Sequence, residues 1–284
     1  MPHVVASDGA RIVYDAAGEG RPLLLVHGWA THGGFFSPQI AGLPDRFRVI
    51  SVDLRGHGRS HREGDRPNVR QLADDLRTLA DSLDLTGMLA VGWSMGAMVL
   101  WQALLDGMRD RTAGMVVVDM SPKVVNGPDW MYGLRGSSPG RSTNQAAEIM
   151  RADWPTVSRR ASQRIFAHGH EGEHAELKQW AAAEIGSADA DAMAALWVSL
   201  SGMDFRAELR RLDLPALIAF GTRSRLYAPE TAAELQGLLP RASIIAFEHS
   251  GHAPHLEEPA RFNSTLIQFA AELPPPARGT SKAA

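Results

Sequence analysis

The protein has 284 residues, of which 44% are hydrophobic and 21% charged, with no cysteine and a formal net charge of −3. This composition is that of a globular protein; it excludes disulfides and thiolate sites, and it argues against binding to nucleic acid or anionic lipid. The first residues do not predict an export signal, and no apolar run approaches the roughly 18 residues of a membrane span. We therefore expect a soluble, cytoplasmic protein with no nucleic-acid or membrane partner.

Alternating strand and helix patterns run along most of the chain. The start of the chain is typical of a hairpin that turns at Asp8-Gly9. Continuous apolar runs then predict buried strands at 22–26, 49–53, 88–92, 115–119, 216–220 and 243–247. Segments of helical period lie between them at 72–83 and 95–108, the second apolar nearly all round. The alternation predicts an α/β protein with a mostly parallel sheet flanked by helices.

One gap between predicted strands is too long for a single crossover helix. We predict a core made of residues 1–120 and 207–273, an inserted, mainly helical cap over 121–206, and a disordered tail over 274–284. The insertion holds four of the seven tryptophans, which are Trp130, Trp154, Trp180 and Trp197. We expect some of them to form the insertion's own core, and take Trp130 and Trp154 as candidates for lining a substrate pocket against the sheet.

The segment GWSMG (92–96) carries the first chemical motif. G-x-S-x-G alone is a weak signal, but here it joins an apolar strand to a buried helix, which is the setting of a nucleophilic serine on a sharp turn. Gly92 and Gly96 leave room for the close packing that such a turn requires. Ser94 is therefore a candidate nucleophile and Trp93 a candidate substrate contact, the alternative being a helix N-cap serine.

Two further loops follow predicted strands. After the first strand, HGW (27–29) can point a backbone N–H at an oxyanion, and the second donor is the residue after the nucleophile, so Trp29 and Met95 are the candidates. We interpret His27 as a structural residue of that loop. After the last strand, HSGHAPHLEEP (249–259) offers three histidines as general base, among which position alone does not choose: His249, His252 and His255.

Taken together, HGW, DLRGHGRS (53–60), GWSMG and SGHAPHLEEP resemble, in order and spacing, the α/β-hydrolase family with an inserted cap domain. The resemblance covers roughly residues 10–120 and 207–271, and no motif in the cap matches. It implies the α/β-hydrolase fold and makes His252, in the Gly-His pair, the general base. It also supports Trp29 and Met95 as oxyanion donors.

The sequence departs from the family at the triad acid. The family usually places this acid after the penultimate strand, in a pattern like G-x-x-D, where this chain has Ser224. Some members carry the acid at the end of the strand that follows the nucleophile helix, and here MVVVDM places Asp119 at that end. We predict Asp119 as the acid. The alternatives are Glu230, no carboxylate at all, and a purely structural Asp119 that caps the next turn.

The segment HGHEGEH (168–174) resembles a metal site by its composition. Its spacing does not match the HxHxDH pattern of metallo-hydrolases, because Gly172 stands at the place of the acid. We interpret the segment as a solvated cap loop and expect no metal.

These residues predict a serine hydrolase that cleaves a carboxylic ester or a lactone through an acyl-enzyme, without a cofactor. The aromatic cap favours a small apolar or aromatic substrate, although neither its identity nor the oligomeric state can be read. Within enzymes, the alternatives are carbon–carbon bond hydrolysis and cofactor-free haloperoxidase or perhydrolase chemistry on the same triad. From another class, Ser224 leaves open a non-catalytic ligand-binding receptor or inactive homologue.

Overall fold

A computed structural model describes residues 1–137, 142–167 and 174–275. These residues form one eight-stranded sheet in the order β1-β2-β4-β3-β5-β6-β7-β8. The pairs β1/β2 and β2/β4 are antiparallel and all other neighbours are parallel. The strands are β1 (His3–Val5), β2 (Arg11–Ala17), β3 (Arg21–Val26), β4 (Phe47–Val52), β5 (Met88–Trp93), β6 (Thr112–Val118), β7 (Ala216–Gly221) and β8 (Ala242–Phe247). The predicted hairpin and the six predicted strands are confirmed.

The parallel direction of the strands decides where a site can lie. The strands β3, β5, β6, β7 and β8 all run the same way, so their carboxyl ends meet at one edge of the sheet. Every residue of β5, at the centre of the sheet, is buried. The loops that leave this edge carry the residues singled out above, from the HGW loop after β3 to the histidine loop after β8.

Among the described residues, the core has six helices that connect or follow these strands, and both helices predicted from the sequence are present. They are α1 (Ser37–Gly42), α2 (Val69–Ser82), α3 (Met95–Leu105), α8 (Pro229–Gln236), α9 (Pro254–Glu257) and α10 (Pro259–Glu272). The helix α2 begins earlier than predicted because Asn68 and Gln71 form a capping box. The helix α3 is buried except at Leu105 and ends earlier than predicted, since Gly107 takes a φ of 113°.

Four more described helices lie in the segment between β6 and β7. They are α4 (Thr143–Ala152), α5 (Trp154–Ile165), α6 (Ala175–Gly186) and α7 (Ala190–Ser201). The helix α4 packs on α7 and α5 on α6. The two ends of the segment meet, because Lys123 and Asp204 form an antiparallel bridge and the Phe205 N–H donates to the Pro122 carbonyl at 3.0 Å. The whole segment therefore leaves the sheet and returns to it at one place.

Some of the predicted organisation lies outside the described residues. This applies to the tail from residue 276 onward and to 168–173, which is all of the HGHEGEH segment except His174. Within 1–137, 142–167 and 174–275, no helix combines the length and apolar character needed to cross a membrane. In those same ranges, no three His, Cys, Asp or Glu side chains are grouped so that they could hold a metal ion.

Candidate active site

Ser94 stands on a sharp turn between β5 and α3. Its backbone has φ 53° and ψ −126°, a conformation that few non-glycine residues adopt, and its side chain makes no cap hydrogen bond to the helix. A Cβ on Gly96 would lie 2.2 Å from the Val26 carbonyl oxygen, so glycine is required where α3 meets the end of β3. The N-cap alternative therefore lacks its hydrogen bond, and the half-buried Ser94 keeps its hydroxyl available.

His252 and Asp119 form a buried pair. The Nδ1 of His252 lies 2.7 Å from the Oδ2 of Asp119, and the two residues are 2% and 4% exposed. Asp119 directly follows β6, has φ 45°, and donates its N–H to the Ala219 carbonyl at 2.9 Å. An ionised carboxylate only accepts hydrogen bonds, so this contact places the ring hydrogen on Nδ1 and leaves Nε2 as the basic nitrogen.

The elbow and the histidine loop are joined by Trp93. Its indole N–H donates to the His252 carbonyl at 2.8 Å, which ties the residue before Ser94 to the histidine. The ring is 1% exposed and packs against Phe35 and His255. Trp93 is therefore a core residue with almost no surface to offer a ligand, which corrects the expectation of a substrate contact. Its indole connects the turn at Ser94 to the histidine loop.

The other two candidate bases differ from His252. His249 is exposed, and no carboxylate contacts its ring among the residues described. His255 is fully buried, and neither ring nitrogen has a hydrogen-bond partner in the described part of the chain. Burial, with a smaller effect of His252, lowers the pKa of His255 to about 3. His252 is thus the histidine of this loop that a carboxylate orients.

The candidate acids are also separated by the structure. Glu230 lies exposed in the first turn of α8. Ser224, at the family's usual acid position after β7, is 6% exposed and donates its hydroxyl to the Oδ2 of Asp119 at 2.6 Å. The sequence placed Ser224 near the histidine but did not reveal this contact. Asp119 is the carboxylate that reaches His252.

The loop after β3 lies against the serine. A Cβ on Gly28 would lie 3.2 Å from the Cβ of Ser94, so the backbone that leads into Trp29 passes beside the nucleophile candidate. His27 is buried and its Nε2 accepts the Leu54 N–H at 2.9 Å, consistent with a structural role. Burial, with His57 adding to it, holds the pKa of His27 well below its usual value and keeps the ring neutral. On the other side of Ser94, Met95 is the first residue of α3, so its N–H has no acceptor within the helix.

Trp29 links this loop to the helices between β6 and β7. Its indole N–H donates to the Met193 carbonyl at 3.0 Å, and its ring centroid lies 5.5 Å from that of Trp154 and 6.4 Å from that of Trp197. Trp154 thus reaches the candidate oxyanion loop. Trp130 is 7% exposed and contacts Ser121, Tyr132 and Arg206.

A contact that the sequence did not reveal joins α5 to the histidine loop. The His252 N–H donates to the Ile165 carbonyl at 2.7 Å. The carboxylate of Glu257 accepts the N–H of Ala167 at 2.7 Å and that of Gly251 at 2.8 Å, so one buried side chain bridges the two segments. Burial raises the pKa of Glu257 to about 7, although these N–H groups oppose the shift. The acidic pair in HLEEP was the available signal.

Comparison with known proteins places this geometry in a family. A family model described as the alpha/beta hydrolase fold matches residues 21–259. The pimeloyl-[acyl-carrier protein] methyl ester esterase of Nitrosomonas europaea is 32% identical over 90% of this chain and 98% of that protein. The AB hydrolase superfamily protein YisY of Bacillus subtilis is 27% identical over 94% and 98%. Among solved structures, an esterase from Exiguobacterium antarcticum superposes with a TM-score of 0.87 at 24% identity, over 95% of this chain and 99% of that one.

Proposed function

This chain belongs to the α/β-hydrolase family, and on that premise we propose that it hydrolyses carboxylic esters or lactones through an acyl-enzyme on Ser94. The observation that carries the proposal is the buried 2.7 Å contact between His252 Nδ1 and Asp119 Oδ2, tied by Trp93 to the turn that presents Ser94. A nucleophile, a base and a carboxylate that orients the base are the parts that acyl transfer needs.

In the first half of the reaction, the Oγ of Ser94 attacks the carbonyl carbon while His252 Nε2 accepts the hydroxyl proton. The backbone N–H groups of Trp29 and Met95 stabilise the oxyanion that forms. Asp119 stabilises the imidazolium. The bond from carbon to the leaving oxygen then breaks, His252 protonates the departing alcohol, and the acyl group remains on Ser94.

In the second half, His252 accepts a proton from water, and the resulting hydroxide attacks the acyl carbon. The bond to Ser94 Oγ breaks, the proton returns to that oxygen, and the carboxylic acid leaves. None of these steps calls for a cofactor. Ring-opening of a lactone follows the same course, except that the leaving alcohol stays attached to the product acid.

We assign substrate selection to the cap over 121–206. Trp154, packed on Trp29, brings this segment to the oxyanion loop, so that an acyl chain bound beside Ser94 would meet aromatic side chains. The Nitrosomonas protein is named as a pimeloyl-[acyl-carrier protein] methyl ester esterase. We therefore place esters of apolar acyl or aromatic acids, including methyl esters, first among the substrates.

A hydrolysis panel tests this function. The panel contains p-nitrophenyl esters of increasing chain length, methyl esters of the same acids, and lactones of several ring sizes. We expect saturable hydrolysis that Ser94→Ala reduces by a factor on the order of 10⁶ in kcat. His252→Ala should be similarly inactive, whereas the control His249→Ala, in the same loop but exposed, should retain the parent's activity. Activity of Ser94→Ala within tenfold of the parent would refute the proposal, and absence of turnover on every member would favour the ligand-binding alternative.

A further inference from the structure

The turn after β7 is attached to the histidine loop through its backbone. A Cβ on Gly221 would lie 1.9 Å from the Gly251 carbonyl oxygen, so the two segments touch without side chains between them. The Arg223 N–H donates to the Ser250 carbonyl, and the Ser224 N–H to the Gly221 carbonyl, at 3.0 and 3.1 Å. Ser224 is therefore held at a set distance from the loop that carries His252.

The described neighbours of the Ser224 hydroxyl determine where it donates its hydrogen. The Oγ accepts the backbone N–H groups of Leu226 and Tyr227, each at 3.3 Å, and these groups can only donate. The remaining neighbour, 2.6 Å away, is the Oδ2 of Asp119, which as a carboxylate oxygen can only accept. The hydroxyl therefore donates to Asp119.

Two donors meet on this one oxygen, because Oδ2 of Asp119 receives both the Ser224 hydroxyl and the Nδ1 of His252. The donors come from the turn after β7 and from the loop after β8. Asp119 itself stands directly after β6, with a φ of 45°. Tyr227 packs beside His252, with a ring-centroid distance of 6.0 Å, and its hydroxyl donates to the Met120 sulfur, so the carboxylate is enclosed.

We propose that Ser224 is a positioning residue of the reaction: its hydroxyl holds the Asp119 carboxylate in the orientation in which Oδ2 faces His252. This inference rests on the proposed function, with Asp119 as the triad acid. A serine is too short to orient the histidine itself, yet at the family's usual acid position it supplies the donor that fixes an acid from the neighbouring strand. The turn after β7 thus still supplies a polar group to the site, as in the family's usual arrangement, but the carboxylate comes from the end of β6.

The effect of losing this hydroxyl is on turnover. A hydrogen bond to a charged group is worth about tenfold to a hundredfold in an equilibrium, and Asp119 acts most strongly when His252 becomes positively charged in the transition state. We expect Ser224→Ala to lower kcat about tenfold to a hundredfold with KM changed less than threefold. Ser224→Thr, which keeps a hydroxyl on the same carbon, should restore most of kcat.

A double-mutant cycle with Asp119→Asn separates positioning from a structural role. Ser224 also accepts two N–H groups of its own turn, so Ser224→Ala alone could act by loosening that turn. If Ser224 acts through Asp119, its replacement costs little further kcat once Asp119→Asn is present. The four proteins are compared by kcat on the best ester of the panel, and by thermal unfolding to establish that each is folded.

Ser250→Ala is the matched control. Ser250 is buried two residues before His252, and its hydroxyl donates to Glu258 at 2.5 Å, so this variant loses the same type of bond without touching Asp119. Any cost of Ser250→Ala should be equal in both backgrounds. Equal costs for Ser224→Ala in both backgrounds, or failure of Ser224→Thr to restore a lost kcat, would overturn the positioning role alone. Near-normal kcat in Asp119→Asn would overturn both this role and Asp119 as the acid.

Discussion

At the scale of single residues, two members of the proposed triad stand on unusual backbone. Ser94 and Asp119 both have positive φ, 53° and 45°, although neither is glycine. Such conformations cost on the order of 1–3 kcal/mol each and persist where surrounding contacts enforce them. Here Gly92 and Gly96 admit the helix beside Ser94, and the Ala219 carbonyl binds the N–H of Asp119. Both residues lie at the carboxyl edge of the sheet, directly after β5 and β6.

Because Ser224 contacts Asp119, we expect that the carboxylate of the site can be moved from the end of β6 to the turn after β7 by two substitutions. Asp119→Asn should retain the fold and lose about 10⁴ in kcat, as an amide can hold the imidazole in the wrong tautomer. Adding Ser224→Asp to that variant returns a carboxylate to the family's usual position and should recover about tenfold or more. In the parent, Ser224→Asp should reduce kcat, because it places a second carboxylate against Asp119 in a buried site.

Steady-state kinetics on the three variants decide this. Recovery in the double variant combined with harm in the single one is the expected pattern. An Asp119→Asn/Ser224→Asp protein no better than Asp119→Asn alone would show that the two positions do not share the histidine.

What could be predicted at this scale depended on motif and strand order. The end of a buried strand marked Asp119, and the Gly-His pair, through the family resemblance, marked His252. Trp93 could not be assigned from sequence, since the residue before an elbow serine is a strand residue whose side chain can point to either side of the turn. Only the structure shows that its indole N–H donates to the His252 carbonyl.

At the scale of elements, the end of α5 lies directly on the loop that carries His252. A Cβ on Gly251 would lie 2.5 Å from the Ala167 nitrogen, so the two backbones are in contact. Glu257 accepts one N–H from each of them. The end of α5 and the histidine loop are thereby joined through one carboxylate. Movement of either segment is expected to move the other.

Replacing Glu257 by glutamine tests this connection. A glutamine has one acceptor oxygen and turns its NH₂ toward the second backbone N–H, so one of the two bonds is lost. We expect hydrogen exchange of the amides at 165–167 and 251–252 to become about tenfold faster together. Glu258→Gln is the control, because Glu258 accepts from His249 and Ser250 within the loop. If Glu257→Gln left the exchange at 165–167 unchanged, the two segments would not be coupled through this residue.

The elements of the core were predictable because each buried strand is a continuous apolar run and each crossover, except the one between β6 and β7, suits a single helix. The ends of helices were less predictable. The helix α2 begins at Val69 because Asn68 and Gln71 form a capping box, and both residues precede the apolar stripe that starts at Leu72. The helices between β6 and β7 carry no motif, and they contact the core through isolated groups: side chains such as Trp29 and Glu257, and single backbone hydrogen bonds such as that from His252 to Ile165. Contacts of that kind leave no periodic signal in a sequence.

At the scale of the whole molecule, buried histidines control the response to acid. His27, His57 and His255 are all buried, and burial is the largest cause that lowers the pKa of each, to about 4 for His57 and about 3 for His255. When the pH drops below 6.5, the usual pKa of a histidine, these residues take up protons in the unfolded chain but not in the folded chain. The free energy of unfolding therefore falls as the pH falls. Glu257 acts in the opposite sense between about 4.5 and 7, since its raised pKa makes the folded chain hold the proton.

The three buried histidines outweigh Glu257, so we expect acid to destabilise the folded protein. Near pH 5 the free energy of unfolding should fall with decreasing pH by roughly 2.7 kcal/mol per pH unit, which corresponds to about two protons. His255→Leu should reduce that slope by about one proton, because His255 packs among aromatic rings with neither ring nitrogen bonded to any described residue. Urea unfolding at a series of pH values measures this. Phe36→Leu, in the same cluster, should lower stability with the slope unchanged; an equal slope in His255→Leu and the parent would exclude His255 as a contributor.

The proposed reaction depends on Ser94 as a nucleophile activated within this fold. Covalent trapping with a fluorophosphonate, followed by intact-mass and peptide analysis, tests it most directly. We expect one adduct per chain, located on Ser94, absent from Ser94→Ala, and formed orders of magnitude more slowly in His252→Ala. Labelling of Ser94→Ala at the rate of the parent, or an adduct located on another residue, would contradict it.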